Sequence, residues 1–213
     1  EAKRSYDQPS KGVLWGWEVS TYIWTKGIAS GTYVVAVLAM LAGLVDMDDG
    51  LWAMTLGIGI AFLAITGLLL VIDLDRPERF LYVMLRPNWD SWLVKGAYIL
   101  SGYGGILALS TGVLILDLDR SLLTYLAIAG VPLALLTGVY TAWLLMQAKG
   151  RSWSEDSLLP AKFLVETVAI GAAVFFPLSL MDPLSFVVGG AILLGILAHD
   201  KKLVMKPQME PLL

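Results

Sequence analysis

Apolar and polar positions along this chain come in blocks and do not alternate. Runs of roughly 20 apolar residues, the length that crosses a hydrocarbon core about 30 Å thick, follow one another with short polar stretches between them. A backbone in lipid must satisfy its polar groups inside a helix or a closed barrel. A barrel needs segments of roughly ten residues alternating apolar and polar, whereas these runs are continuously apolar and rich in Leu, Ala and Gly. They predict transmembrane helices over 17–45, 51–72, 91–116, 121–146, 159–181 and 183–198. The expected fold class is all-α, a polytopic transmembrane helix bundle of about six helices. An extramembrane segment 1–16 precedes it and a polar tail 200–213 follows.

Composition agrees, with 57% hydrophobic residues, 15% charged residues and a mean hydropathy of +0.73 over 213 residues, outside the usual range of soluble domains. The chain has no cysteine, which excludes disulfides, thiol catalysis and iron-sulfur clusters held by its own thiolates. Its single histidine, His199, cannot supply both axial imidazoles of a b-type haem. The metal centres of any electron chemistry are therefore expected on another subunit. The sequence starts at Glu1 with neither an apolar signal core nor an initiator Met, so residues upstream are expected.

Charge then gives the bundle two unlike faces. Arg76, Arg79, Arg86, Lys149, Arg151, Lys201, Lys202 and Lys206 fall on one side, together with the basic N-terminal stretch. The other side carries Asp46, Asp48, Asp49, Asp117, Asp119 and Asp182 against Arg120 alone. Counting basic residues in loops puts the basic side, with both termini, in the cytoplasm. A basic face also suits an acidic or cofactor-bearing partner, and then the bias reports the partner and not the orientation. The long connections after Ile72 and Met146 lie on that face too, which makes it the working end. The densest charge stands at Asp73-Leu74-Asp75-Arg76-Pro77-Glu78-Arg79-Phe80, directly after an apolar run, as expected of a docking or reaction surface.

A few ionisable groups stand inside the apolar runs. Glu18, Tyr22 and Lys26 follow one another at spacing four, which stacks them on one helical face, with Ser30 one turn on. Lys26 would lie roughly 12–14 Å along the helix, where an unpaired charge costs several kcal/mol. Snorkelling or an ion pair with Glu18 would account for it structurally; a group that binds or protonates a ligand would account for it functionally. Lys162 and Glu166 repeat the device on the fifth run, either as a local ion pair or with Glu166 serving proton transfer, Lys26 being a partner within reach. The fourth run adds Thr137, Tyr140 and Thr141, and Trp15, Trp17, Trp89, Trp92 and Trp153 read as an interfacial aromatic belt. Gly27/Gly31 and Gly57/Gly59 read as close helix contacts. The polar groups gather at one end, a setting that matches a lipid-soluble ring with a polar head better than a hydrophilic solute.

Trp17 to Gly31, the Asp73 to Phe80 element, Val139-Tyr140-Thr141-Ala142-Trp143-Leu144-Leu145, Trp153 and Leu158-Leu159-Pro160 occur in an order that resembles the polysulfide-reductase membrane-subunit, or NrfD-like, family. The resemblance covers about residues 13–175. It departs from the family pattern at Asp75 and Ala142, where glycine is usual, and at Arg151, where proline is usual. It implies a haemless membrane subunit of a multi-subunit respiratory oxidoreductase, with a four-helix core that holds a quinone head. The implied cofactor is menaquinone or ubiquinone, with no haem and no iron-sulfur cluster on this chain. The implied partners are an iron-sulfur subunit and, through it, a molybdenum enzyme or a multihaem cytochrome. Membrane lipid surrounds the bundle, no nucleic acid is expected, and the expected location is a prokaryotic inner membrane.

Carried onto this sequence, the resemblance implies quinone contacts at Tyr22 and Tyr140, with Glu18 and Lys26 beside them. It implies proton transfer through Glu166, Asp73 and Lys26, and a partner-docking loop carrying Asp75, Arg76 and Arg79. None of these residues is expected to be catalytic in its own right or to hold a metal. A small transporter or channel would also bury Lys and Glu, but the two halves of the chain show no convincing repeat. A ligand-free assembly anchor, in which the charges merely pair helices, is the remaining alternative.

Overall fold

Six long helices are found where the apolar blocks predict them, and α1 is the one the others surround. The computed structural model describes residues 15–72, 85–148 and 151–209. Among the described residues its helices are α1 (Trp17–Leu41), α2 (Asp49–Ile72), α3 (Trp92–Ile115), α4 (Arg120–Met146), α5 (Leu159–Leu180) and α6 (Pro183–Met209), with a 3-10 turn at Ser152–Ser154 before α5. Every one is long and apolar enough to span a bilayer, and no strand is found among the described residues. The chain is an integral membrane protein with a polytopic helical-bundle fold.

Helices α1 to α4 close into an antiparallel four-helix ring through the contacts α1–α2, α2–α3, α3–α4 and α4–α1, and α5 and α6 pack on the side of α1 and α4. In its most apolar stretch α1 is 83% buried, against 11% for α6, so α1 faces protein and α6 mostly faces lipid. Polar side chains tie α1 to its neighbours. Thr25 and Thr66 share a hydroxyl hydrogen bond of 2.9 Å to α2, the Tyr103 hydroxyl of α3 donates to Ala29 O at 2.7 Å, and Trp24 Nε1 donates to Leu193 O of α6 at 2.9 Å. In lipid such bonds hold helices together because water offers no competing partner. The seam with α5 is the closest: a β-carbon at Gly31 would overlap Thr167 O, and one at Gly171 would overlap Gly31 O. Of the remaining expected close contacts, Gly27 meets Ile170 and Gly59 meets Leu107, whereas Gly57 faces open space.

The turns on the acidic side are short and chemically specified. Helices α1 and α3 both end with one residue in the left-handed region, Gly43 (φ +67°) and Asp117 (φ 51°). In each, the next residue bonds back into the last turn, Leu44 N to Ala39 O at 2.9 Å and Leu118 N to Val113 O at 3.0 Å, the geometry that satisfies the last free carbonyls of a helix. Asp48 and Asp182 then accept from Leu51 N and Ser185 N, and Asp119 from Ser121 N at 2.9 Å, opening α2, α6 and α4.

Two boundaries differ from expectation. Helix α1 stops at Leu41 and not near residue 45, because Gly43 turns the chain. Helix α6 runs past 198 to Met209. Hydropathy falls at His199-Asp200-Lys201-Lys202, but the inward stripe continues through Asp200 and Val204, which are 1% and 0% exposed. The end of α6 is also fastened from below. Arg151 Nη1 donates to Pro207 O and Gln208 O at 3.1 and 3.2 Å, Trp153 Nε1 donates to Leu203 O at 3.0 Å, and Gln208 exchanges hydrogen bonds with the backbone of Trp15. A guanidinium on the last carbonyls also suits the helix dipole.

Candidate functional site

Lys26 lies nine residues into α1, Tyr140 six residues before the end of α4, Glu166 seven residues into α5 and Asp200 nine residues before the end of α6. At 1.5 Å per residue these positions fall in one layer, roughly 9–14 Å inside the basic-side helix ends. Four helices thus each bring one polar side chain to the same depth.

Lys26 is the centre of the layer. It is 1% exposed, and its ammonium donates to Thr141 Oγ1 of α4 at 2.5 Å. The nitrogen also lies 4.5 Å from the Tyr140 ring centre and 5.4 Å from that of Phe163, so two aromatic faces bed the cation. Glu166 and Asp200 act on it electrostatically from α5 and α6 at longer range than a direct ion pair. The Tyr140 ring itself leans on the backbone of α3 at Gly96, where an added β-carbon would stand 2.5 Å from Cδ2 and 3.0 Å from Cζ. Only a glycine leaves space for the ring there.

Several buried polar atoms in and beside this layer have no hydrogen-bond partner among the described residues: the Tyr140 hydroxyl, Thr137 Oγ1 and both oxygens of Asp200. Thr32, Thr55, Ser110 and Arg120 Nη1 are likewise unmatched elsewhere in the bundle, but here the unmatched atoms fall at and beside the layer of a buried cation and keep hydrogen-bonding capacity unused. Among the described residues the ammonium, the phenol, the carboxyls and the hydroxyls of Thr137 and Thr141 are groups there that can give or take a hydrogen bond.

The remaining predicted residues are placed as follows. Tyr22 is 2% exposed and packs one turn toward the basic side, in an apolar cluster with Val19, Leu159 and Phe163. Glu18 stands at the start of α1 with its carboxylate folded back on Gly16, and forms no ion pair with Lys26 two turns away. Lys162 pairs with Asp156 at 2.5 Å, not with Glu166, which leaves Glu166 to face α1 and α6. Asp73, Asp75, Arg76 and Arg79 lie outside the described residues. Of the tryptophans at the basic-side end, Trp17 and Trp89 are exposed, whereas Trp153 is 4% exposed and packs on Trp15 with ring centres 5.4 Å apart, and Trp92 stacks on Trp143 at 4.6 Å.

Sequence reasoning missed Asp200, Phe163 and Gly96. Asp200 had one signal, its spacing of four from Val204 and Gln208, which continues the inward stripe of α6 beyond its apolar stretch. A cleft of about 410 Å³ lies at the opposite, acidic end, between Met40, Asp46, Asp49, Trp52, Arg120 and Leu123, and contains none of the predicted site residues. It is spanned by the ion pairs of Arg120 with Asp49 and Asp117 at 2.8 and 3.0 Å. These pairs are solvent-exposed, and their contribution is correspondingly small.

Residues 7–183 match the family described as polysulphide reductase, NrfD. Protein NrfD of Escherichia coli strain K12 is 28% identical over 189 residues, covering 77% of this chain and 59% of that protein. A polysulfide reductase subunit of Wolinella succinogenes is 23% identical over 184 residues, covering 75% of this chain and 56% of that protein. The chain thus spans a little over half the length of these curated relatives. With more than four fifths of its length matched, the chain belongs to the polysulphide reductase, NrfD family.

Proposed function

We propose that the chain is the haemless membrane subunit of a respiratory oxidoreductase. In this reading it binds a quinone or quinol head in the Lys26 layer and exchanges electrons with an iron-sulfur partner seated on the basic side. The Wolinella succinogenes relative is one chain of a polysulfide reductase, which supports membership of a multi-subunit enzyme. The observation that carries the ligand is the buried Lys26 ammonium bedded on Tyr140, with the Tyr140 hydroxyl unspent.

The residues present suit a quinone. Lys26 supplies a donor for a ring oxygen, the Tyr140 hydroxyl has no partner among the described residues, and the rings of Tyr140 and Phe163 that bed the cation make the surroundings apolar. When bound, a quinone supplies two-electron, two-proton chemistry that this chain's own side chains lack. Lys26 would orient the head and balance developing negative charge on its oxygen, Tyr140 would fix the second contact, and Glu166 would accept or return a proton. Burial of the layer keeps water from competing for these contacts. The segment carrying Asp73, Asp75, Arg76 and Arg79 belongs to this reading as the partner-docking surface. Proton coupling across the membrane extends the same reading through Glu166, Lys26 and Asp73.

Equilibrium binding of a short-tailed benzoquinone or naphthoquinone to the full chain in lipid nanodiscs tests the ligand. Saturable binding weakened by Lys26→Met is expected. Unchanged affinity in that variant, with its helix content intact, would point to the assembly-anchor reading, and solute flux in vesicles holding the chain alone would point to a transporter.

A further inference from the structure

The quinone reading leaves one deeply buried ionisable group unused. Asp200 is 1% exposed, and neither of its oxygens receives a hydrogen bond from a donor among the described residues. On α5, which packs against α6, the Glu166 carboxyl stands at the same depth and is its electrostatic partner. Two ionised carboxyls are acceptors only, so a hydrogen bond between them forms when one of them carries a proton.

The surrounding charges make the same demand. Lys26 faces the pair from α1, Thr141 and Tyr140 are the neutral groups brought by α4, Glu166 comes from α5, and α6 adds His199 next to Asp200. Two carboxylates against one ammonium would leave a net negative charge on a cluster whose Asp200 and Lys26 are 1% exposed and whose Glu166 is half-buried, which a low-dielectric interior penalises. One proton held between the carboxyls makes the cluster neutral. His199, Lys201 and Lys202 stand with exposed side chains on the same turn of α6 as Asp200.

We propose that Glu166 and Asp200 form a single-proton site, in which one proton is shared between the two carboxyls, the remaining charge is balanced by Lys26, and exchange with the basic-side medium runs along the His199 turn. Asp200 stands beyond residue 183, where the family match ends, so half of the site belongs to this chain's last helix. Its service to a ligand, taking the proton a quinol releases or returning the one a quinone needs, rests on the reading above. The shared proton does not.

Infrared spectroscopy of the full chain in nanodiscs without added quinone reads the site directly. At neutral pH the carbonyl band of one protonated carboxylic acid is expected, with the small shift in heavy water that marks an exchangeable proton. Glu166→Gln and Asp200→Asn should each abolish it, because a lone carboxylate opposite Lys26 ionises. Lys26→Met should raise its amplitude toward twofold, because without the cation the second carboxyl also protonates. Absence of the band in the unmodified protein, its survival in either carboxyl variant, or an unchanged amplitude in Lys26→Met would overturn the proposal. If a carboxyl variant fails to fold, the unmodified spectrum and Lys26→Met still decide. A failure of quinone binding leaves this band in place, so the two readings fall separately.

Discussion

The Lys26 ammonium of α1 stands 4.5 Å from the centre of the Tyr140 ring of α4, and the hydroxyl of that ring makes no hydrogen bond among the described residues. The ring thus contributes its face to the fold and keeps its oxygen in reserve. Tyr140→Phe should therefore leave the melting temperature unchanged or slightly higher, since it removes a buried group without a partner. The same change should weaken quinone binding by roughly tenfold, the equivalent of about 1.4 kcal/mol. A calorimetric scan and a binding isotherm on one preparation check both halves.

Gly96 sets where that ring can lie. Gly96→Ala should displace Tyr140 from Lys26, because the new β-carbon would sit 2.5 Å from Cδ2 in the present geometry. Overpacking of this kind costs about 1–3 kcal/mol. The expected result is a lower melting temperature together with weaker binding, in contrast to Tyr140→Phe, where only binding falls. Gly102→Ala, whose β-carbon would meet Leu133 at an ordinary 3.7 Å, should change neither.

Arg151 holds the end of α6 through the carbonyls of Pro207 and Gln208. Arg151→Ala should speed amide hydrogen exchange over Leu203 to Met209 while leaving the middle of α1 protected. Trp153→Phe, which keeps a ring against Trp15 and removes the donor to Leu203, should do the same to a smaller degree. Uniform exchange across α6 in both variants and the unmodified protein would show that the clamp is unimportant.

At the acidic end, Asp119 accepts from Ser121 N at the start of α4, and this bond holds its carboxyl below the usual carboxylate range. A group whose folded-state proton affinity is depressed contributes stability above its unfolded value, about pH 4, and loses it as the pH falls through the lower folded value. Asp119→Ala should lower thermal stability slightly at neutral pH, and the difference from the unmodified protein should shrink in acid. Melting curves across that range check the sign.

The bundle was legible because length and continuous apolarity suffice to predict a membrane helix, and because Lys26 and Glu166 stand out in such surroundings. Partner choice was not legible. Spacing of four joins Lys162 to Glu166 on one helix, yet Asp156 in the preceding turn reaches Lys162 first. Glu18 and Lys26 share a stripe, but two turns separate them by roughly 12 Å, beyond a direct ion pair. The end of α6 was hidden for a related reason: charges at 199–202 read as an exit from the membrane, while one of them, Asp200, points inward. Gly96 was invisible because its role depends on a ring from another helix.

Photolabelling measures most directly whether the Lys26 layer holds the ligand head. A quinone carrying a photoreactive group on its ring should label peptides containing Lys26, Tyr140 or Phe163 in the full chain, with competition by unlabelled quinone. Labelling confined to the acidic-end cleft around Trp52 and Arg120, or to lipid-facing positions such as Leu194 and Val187, would contradict it.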